Sequence, residues 1–222
     1  MKALLGYKVG MTQVIEEDGT VVPVTIIQAG PCYVTQIKDV DSDGYEALQL
    51  GFDETEEKRL TRGQLGHLGR LERDEDHPER KKEYGAPALR HLREVRTQRV
   101  ADYELGQMLT VEQFDKGDRV DVTGKTKGRG FTGVVKRYGF GGGPKTHGQS
   151  DRLRAPGSIG ATSGMSRVIK GMRMAGRSGN TTHTAQNLEV VRTDPEKNLI
   201  AIKGPVPGAK GNLVIIRDAR KE

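Results

Sequence analysis

Basic side chains alternate with small residues along one stretch of the sequence. Lys125, Lys127 and Arg129 are separated by single Thr or Gly residues, and Arg152 and Arg154 repeat the spacing further along. In an extended chain, side chains two positions apart point to the same side. The first three would therefore lie on one face and follow a line of negative charges. The chemistry that this pattern predicts is the binding of a polyanion.

The wider segment from Gly124 to Gly179 is strongly basic. It contains twelve Lys and Arg and fifteen Gly but one acid, Asp151, which makes it +11 in a chain of net charge +6. Residues 1–123 have 17 bases against 24 acids, and residues 180–222 have 7 against 5. Glycine permits close backbone approach, and such a segment repels itself until a polyanion orders it. Nucleic acid is the leading candidate.

The basic side chains of this segment are the first candidate contacts. They are Lys125, Lys127, Arg129, Lys136, Arg137, Lys145, Arg152, Arg154, Arg167, Lys170, Arg173 and Arg177. Phe131, Tyr138 and Phe140 either stack on unpaired bases or, in the case of the two Phe, anchor the root of the segment. A flexible linker would normally be rich in Ser or Pro and would not need to exclude acids.

Two stretches of the segment resemble nucleotide-binding motifs, but each lacks a feature that such a motif requires. Residues 128–133 match G-x-G-x-x-G, but a dinucleotide site needs a helix that opens at this loop. The following VVKRYGFGGGPK predicts at most two helical turns. Residues 124–126 resemble the end of a P-loop, yet Arg119 stands where its first Gly is required. The segment therefore does not predict a nucleotide-binding enzyme.

Hydrolytic and metal-dependent chemistry is not supported either. His147, Asp151 and Ser158 could be arranged as a triad, but no G-x-S-x-G motif is present to hold a nucleophile. The five His are scattered, without the spacing or Cys partners of a zinc site. Cys32 is the single cysteine, which excludes an internal disulfide and fits a reducing compartment. We expect no enzymatic activity, metal, cofactor or small-molecule substrate.

The elements that must position the basic segment are mostly predicted strands. VVPVTIIQAG, YVTQIKDV and EALQLGF lie in the first 52 residues, and NLEVVRTD, NLIAIKG and NLVIIRD follow residue 180. Each is rich in β-branched or other apolar residues and bounded by turn residues. A hydrophobic fraction of 34%, with four Phe and no Trp, fits a small β-rich core. We predict a mainly β fold, a barrel or sandwich interrupted by two insertions.

The first insertion, over about residues 53–99, mixes acids and bases. Within it, Leu89, Leu92 and Val95 have helical spacing, which predicts a short helix. Residues 69–86 are predicted to form a solvated surface excursion, since mixed charge runs are usually exposed.

Neither a targeting segment nor a membrane span is predicted. The first apolar run has only three residues before Gly6, too short for a signal peptide. No run approaches the ~18 apolar residues of a membrane span. We expect a soluble intracellular protein without a membrane partner.

Several motifs together resemble the family of large-subunit ribosomal protein L three. The residues at the spacing of its signature are Phe114, Asp121, Gly124, Thr126, Gly128-Arg129-Gly130, Gly133 and Arg137. LGYKVGMTQ, THGQSDRLRAPGSIG, KGMRMAGRSGN and KGPVPGAKGNLVIIR are similar to bacterial members, in the same order, along nearly the whole chain. Residues 53–87 resemble the family least.

The resemblance implies a β-barrel of the translation-protein type with a small α-containing insertion. Its body would comprise residues 1–123 and 180–222, and residues 124–179 would form a long basic Gly-rich extended arm. The resemblance also implies that the arm binds large-subunit (23S) rRNA and extends toward the peptidyl-transferase region. It adds His147, Gln149 and Ser158 to the candidate rRNA contacts.

The same resemblance implies a cellular role. Members help to nucleate assembly of the large ribosomal subunit in the cytoplasm, next to ribosomal proteins such as L fourteen and L nineteen. The alternative is an RNA-binding translation or assembly factor that acts off the mature ribosome.

Overall fold

The computed structural model describes residues 2–70, 86–161 and 163–220. The chain divides into two compact units, the first made of residues 1–125 with 183–222 and the second of residues 126–182. The first unit contains a barrel and a second sheet, and residues of the second unit form a short two-stranded sheet.

Six strands close into the barrel. In spatial order they are β1 (Ala3–Ile15), β12 (Leu213–Asp218), β7 (Arg119–Lys125), β10 (Thr182–Asp194), β11 (Leu199–Lys203) and β2 (Val21–Ala29), with β2 pairing back onto β1. Pairing is antiparallel between β1 and both of its neighbours. The predicted mainly β fold with a barrel is confirmed.

Aliphatic side chains from several strands fill the core. Leu4, Ile27, Ile200 and Ile216 come from four different barrel strands and are fully buried. Phe114 is the largest fully buried side chain and belongs to the same cluster. The core is thus built mostly of Val, Ile and Leu, whose branched side chains suit a pleated surface.

A second sheet of four strands shares this core. Its order is β5 (Leu89–Arg96), β4 (Ala47–Glu54), β3 (Cys32–Lys38) and β6 (Met108–Leu109). Cys32 is buried on β3, and its Sγ accepts a hydrogen bond from the Leu5 backbone N–H at 3.3 Å. Burial raises the pKa of this thiol to about 12, so Cys32 acts as a small buried hydrophobe.

The α-helices that the structure describes in the first unit are short. They are α1 (Val40–Asp43) and α2 (Arg62–His67). Thr61 and Gln64 form a reciprocal capping box at the start of α2, in which the Thr61 N–H donates to the Gln64 side chain at 3.0 Å. The α2 helix lies within the predicted charged insertion.

The helix predicted from Leu89, Leu92 and Val95 is wrong, because these residues lie on strand β5. The strand pairs antiparallel with β4 over its whole length. The three-residue spacing reflects two separate contacts: Leu89 and Leu92 pack with Leu68, whereas Val95 joins the main core. Hydrogen bonding to β4 outweighs a local helical pattern that is too short to be stable alone.

The predicted excursion over residues 69–86 lies mostly outside the described residues. At its two ends, the Arg70 guanidinium donates to the backbone oxygen of Ala86 at 3.0 Å. It also contacts the carboxylate of Glu57 at 2.6 Å.

Candidate nucleic-acid interface

The basic segment begins as a two-stranded ribbon. Arg129 N–H donates to the Ser178 oxygen at 2.8 Å, and Ser178 N–H donates to the Gly130 oxygen at 3.0 Å. Directly beyond, β8 (Phe131–Thr132) pairs antiparallel with β9 (Gly176–Arg177). The start and end of the arm are therefore extended and held to each other by backbone hydrogen bonds.

Gly179 lets the two legs of the ribbon approach each other. Its φ is +73°, in the left-handed region that favours glycine. A Cβ at this position would overlap the Lys127 carbonyl oxygen and would lie 3.1 Å from the Cα of Gly128. Close backbone packing at the root of the arm thus requires glycine here.

The helix after the G-x-G-x-x-G pattern is short. Helix α3 spans Val134–Tyr138 and ends at Gly139, whose φ is +75° and whose N–H donates to the Val135 oxygen at 3.0 Å. Five residues make about one and a half turns, within the two turns expected from the sequence. The loop therefore does not open the long helix of a dinucleotide-binding fold.

Arg137, a predicted RNA contact, is engaged within the arm itself. Its guanidinium donates to the backbone oxygen of Met174 at 2.7 Å and lies 5.0 Å from the ring centre of Tyr138. A Cβ on Gly176 would come within 2.9 Å of the Arg137 Nη1. Arg137 therefore joins α3 to the returning leg of the arm, a role that its position in the sequence does not reveal.

The aromatic residues of the arm divide into two kinds. Tyr138 and Phe140 are half-buried, with ring centres 5.9 Å apart, and Arg173 lies 5.7 Å from the Tyr138 ring centre. Phe131 is 83% exposed. An anchoring role therefore fits Phe140, whereas the interpretation of Phe131 as an anchor is wrong.

A glycine run lines a groove in the second unit. The groove has a volume of about 770 Å³, and its lining includes Phe140, the glycines at 141–143, Arg152 and Ser158. The Gly143 N–H donates to the Leu153 oxygen at 2.9 Å, which brings the two walls together. The backbone of the glycines and the Arg152 side chain thus line a groove that is large enough for a ligand of about the size of a nucleotide.

Most of the predicted contact residues are exposed. The exposed ones are Lys125, Lys127, Arg129, Lys136, Lys145, His147, Arg152, Arg154, Ser158, Arg167, Lys170, Arg173 and Arg177. Arg137 and Gln149 are half-buried. Lys125 is the last residue of β7 in the first unit, and the others lie in the second unit. Exposure leaves these side chains open to an external ligand.

Acids do not compensate the charge of the arm. Within the described residues, none of the Lys or Arg between 124 and 179 forms an ion pair with an acid. In the first unit, by contrast, Lys2 pairs with Asp118 at 2.7 Å and Lys38 with Glu94 at 2.9 Å. The hydrogen bond from Lys38 lowers the pKa of Glu94. The described cations of the arm thus have no acid partner, as an anion-binding surface requires.

Neither a metal site nor a membrane-spanning helix is present in the described part of the chain. This part holds no group of three or more His, Cys, Asp or Glu that could bind a metal ion. None of its helices is long and apolar enough to cross a bilayer.

Phe131 was a candidate base contact in the sequence, whereas the other exposed apolar side chains of the arm were not. Phe131, Met165, Val168 and Ile169 are all exposed. In the sequence, Phe131 and Thr132 stand between Gly130 and Gly133, a pattern that does not say which of the two side chains is exposed. In the structure, Thr132 is buried and Phe131 is exposed.

A β-barrel and a basic segment whose described Lys and Arg lack acid partners are typical of a protein that binds a polyanion. Residues 79–198 match the family model described as Ribosomal protein L3. The chain belongs to the ribosomal protein L3 family, whose members are structural, non-enzymatic components of the ribosome. The predicted family is confirmed, and with it the prediction that the chain is not an enzyme.

Relatives match along the full chain and are named large ribosomal subunit protein uL3. The protein of Roseiflexus sp. is 54% identical over 100% of this chain and 99% of its own length. That of Herpetosiphon aurantiacus is 50% identical over 100% and 98%. That of Chlorobaculum tepidum is 49% identical over the whole of both chains.

Proposed function

We propose that the chain is a constituent of the large ribosomal subunit that binds large-subunit rRNA through the arm, residues 124–179. The observation that carries this proposal is the set of exposed Lys and Arg that have no acid partner among the described residues. RNA carries a phosphate at every nucleotide, and neutralising phosphates releases counterions, which drives binding. The names of the relatives, which refer to the large ribosomal subunit, support rRNA as this anion.

The two parts of the chain have different roles in this proposal. The body, residues 1–123 and 180–222, is a rigid base in which several cations pair with acids. The arm supplies phosphate contacts from its exposed Lys and Arg. His147, Gln149 and Ser158 add hydrogen bonds to phosphate or to 2′-hydroxyl groups. The groove beside the glycines at 141–143 accommodates one stretch of RNA backbone.

Family membership supports the finer parts of the proposal. We infer that the arm extends toward the peptidyl-transferase region and that binding helps to nucleate subunit assembly. We also infer that the neighbours include ribosomal proteins L fourteen and L nineteen. A translation or assembly factor acting off the mature ribosome is the competing function.

Washing purified large subunits separates these two functions. After sedimentation of the subunits through high salt, an integral component remains at one copy per subunit, whereas a factor is lost. A photo-crosslinking residue at position 154 should then join to 23S rRNA, and the same residue at the exposed position 116 of the body serves as control. Loss of the protein at high salt, or crosslinks from 154 to proteins alone, would contradict the proposal.

A further inference from the structure

One aromatic side chain in the described part of the molecule stands apart from the rest. Phe131 is 83% exposed, whereas the other described Phe and Tyr residues are buried or half-buried. A Phe side chain brings 150–250 Å² of largely apolar surface to a contact. Leaving it in water forgoes that stabilisation, which points to a ligand that covers the ring.

The local backbone directs Phe131 outward. It lies on β8, where successive side chains alternate between faces. The next residue, Thr132, is 4% exposed, and its hydroxyl donates to the Gly130 oxygen at 3.3 Å. Since Thr132 occupies the inner face, Phe131 is held on the outer face of a hydrogen-bonded ribbon rather than on a loop.

The surroundings of Phe131 are cationic. Arg177 is its cross-strand partner in register, so the two side chains lie on the same face within contact distance. Arg129, two residues before Phe131, is also exposed and has no acid partner among the described residues. An apolar ring beside guanidinium groups complements a nucleic acid, which presents a flat π-face next to a phosphate.

We propose that Phe131 stacks on one unpaired base of the bound RNA while Arg177 contacts an adjacent phosphate. This inference rests on the proposed RNA-binding function and adds a base contact to it. The base must be unpaired because the faces of paired bases are covered within a duplex. Phe131 and Arg177 together then recognise one exposed nucleotide at the root of the arm.

Affinity measurements test the stacking directly. In binding of 23S rRNA, Phe131→Ala should weaken affinity by about 5- to 150-fold, the range for loss of one stacked base. Phe131→Leu should be nearly as weak, because it keeps apolar area but lacks a π-face, whereas Phe131→Tyr should bind like the wild type. The salt dependence should not change in any of the three, because no charge is removed.

A tryptophan reporter gives a second readout. The chain contains no Trp, so Phe131→Trp places a single indole at the proposed contact. Stacking on a base should quench its fluorescence at the same RNA concentration at which binding occurs. Ile15→Trp, at a 67% exposed position of the body, is the matched control and should keep its fluorescence.

The outcomes separate the stacking proposal from the proposed function. Absence of RNA binding by the wild type would overturn both. Wild-type binding, together with normal affinity of Phe131→Ala and an unquenched indole in Phe131→Trp, would overturn the stacking alone. A blue-shifted, unquenched indole that appears only when ribosomal proteins are added would assign Phe131 to a protein partner instead. Loss of affinity with Leu, retention with Tyr and quenching of the indole would establish the stacking.

Discussion

The absence of a side chain at Gly179 allows the root of the arm to form. Gly179→Ala should place a methyl group against the Lys127 carbonyl in a left-handed conformation, at a cost of about 1–2 kcal/mol for the backbone alone. Hydrogen exchange at the Arg129 amide, which is bonded to Ser178, should then become at least about fivefold faster.

Gly128 provides the control for this substitution. A Cβ there would lie 3.6 Å from the Asn180 Cβ, an ordinary contact. Gly128→Ala should leave exchange at Arg129 close to that of the wild type. Equal effects of the two substitutions would show that the close approach at Gly179 does not matter.

Lys136 and Arg137 are adjacent cations with different environments. Lys136 is exposed, whereas the Arg137 guanidinium donates to Met174 at 2.7 Å. Lys136→Ala should reduce the log–log salt slope of rRNA binding by about 0.7, the value for one phosphate contact. Arg137→Ala should weaken binding with a smaller change in slope, because it loosens the arm rather than removing a phosphate contact. A slope change for Arg137→Ala as large as that for Lys136→Ala would contradict the assignment.

Sequence patterns predicted that the cationic side chains of the arm are exposed, but not which of them form contacts within the arm. Lys127 and Arg129 have the expected exposure because small neighbours leave nothing to cover them. Arg137 differs because its partner, Met174, lies 37 positions away. The outward direction of Phe131 likewise depends on pairing with a distant strand. Such long-range contacts have no local signature.

At the scale of elements, four strands of the barrel, β2, β10, β11 and β12, were predicted from the sequence, and β5 was not. These four strands contain β-branched runs between turn residues, so local preference and final structure agree. In β5, charged residues surround three apolar ones, and the local pattern indicates a helix. Pairing with β4 decides the outcome, and that partner lies about 40 residues earlier in the chain.

Gly51 on β4 tests the packing of β5. A Cβ on Gly51 would overlap the Leu89 side chain and lie 2.9 Å from the Thr35 Cγ2. Gly51→Ala should therefore lower the free energy of unfolding by about 1–3 kcal/mol through overpacking. Gly10→Ala, in a strand with open space at that position, should change it by less than about 0.5 kcal/mol. Urea unfolding measures both, and a fully stable Gly51→Ala variant would contradict this packing.

An ion pair links the residues that precede β1 and β7. Lys2 donates to Asp118 at 2.7 Å, and this bond lowers the pKa of Asp118 below its usual range. A carboxyl with a lowered pKa in the folded protein stabilises it above the unfolded pKa, about 3.9. That contribution is lost as pH falls through the folded pKa.

Asp118→Asn should therefore destabilise the protein at neutral pH. The difference from the wild type should shrink below about pH 4 and vanish once the wild-type carboxyl is protonated. Asp115→Asn, at an exposed side chain 3.6 Å from the Lys2 amine, is the control and should have a smaller effect. Thermal unfolding at pH 7 and at pH 3 measures this dependence. A difference that is the same at both pH values would exclude the ion pair as its cause.

At the scale of the whole molecule, the charge is divided unevenly between the body and the arm. The body carries 24 bases against 29 acids, and the arm carries twelve bases against one acid. A sequence pI near 9.4 conceals this division. Composition alone reveals this uneven distribution, because the distribution depends only on which residues along the chain are charged. We interpret the arm as the part that is completed by RNA.

The salt dependence of rRNA binding tests this interpretation most directly. If about ten cations of the arm reach phosphates, the log–log slope should be roughly −7. Alanine at Lys125, Lys127 and Arg129 together should make the slope shallower by about two. Alanine at Lys116, Lys197 and Lys210, three exposed cations of the body, should leave it unchanged. An unchanged slope in the first variant, or an equal change in the second, would contradict the account.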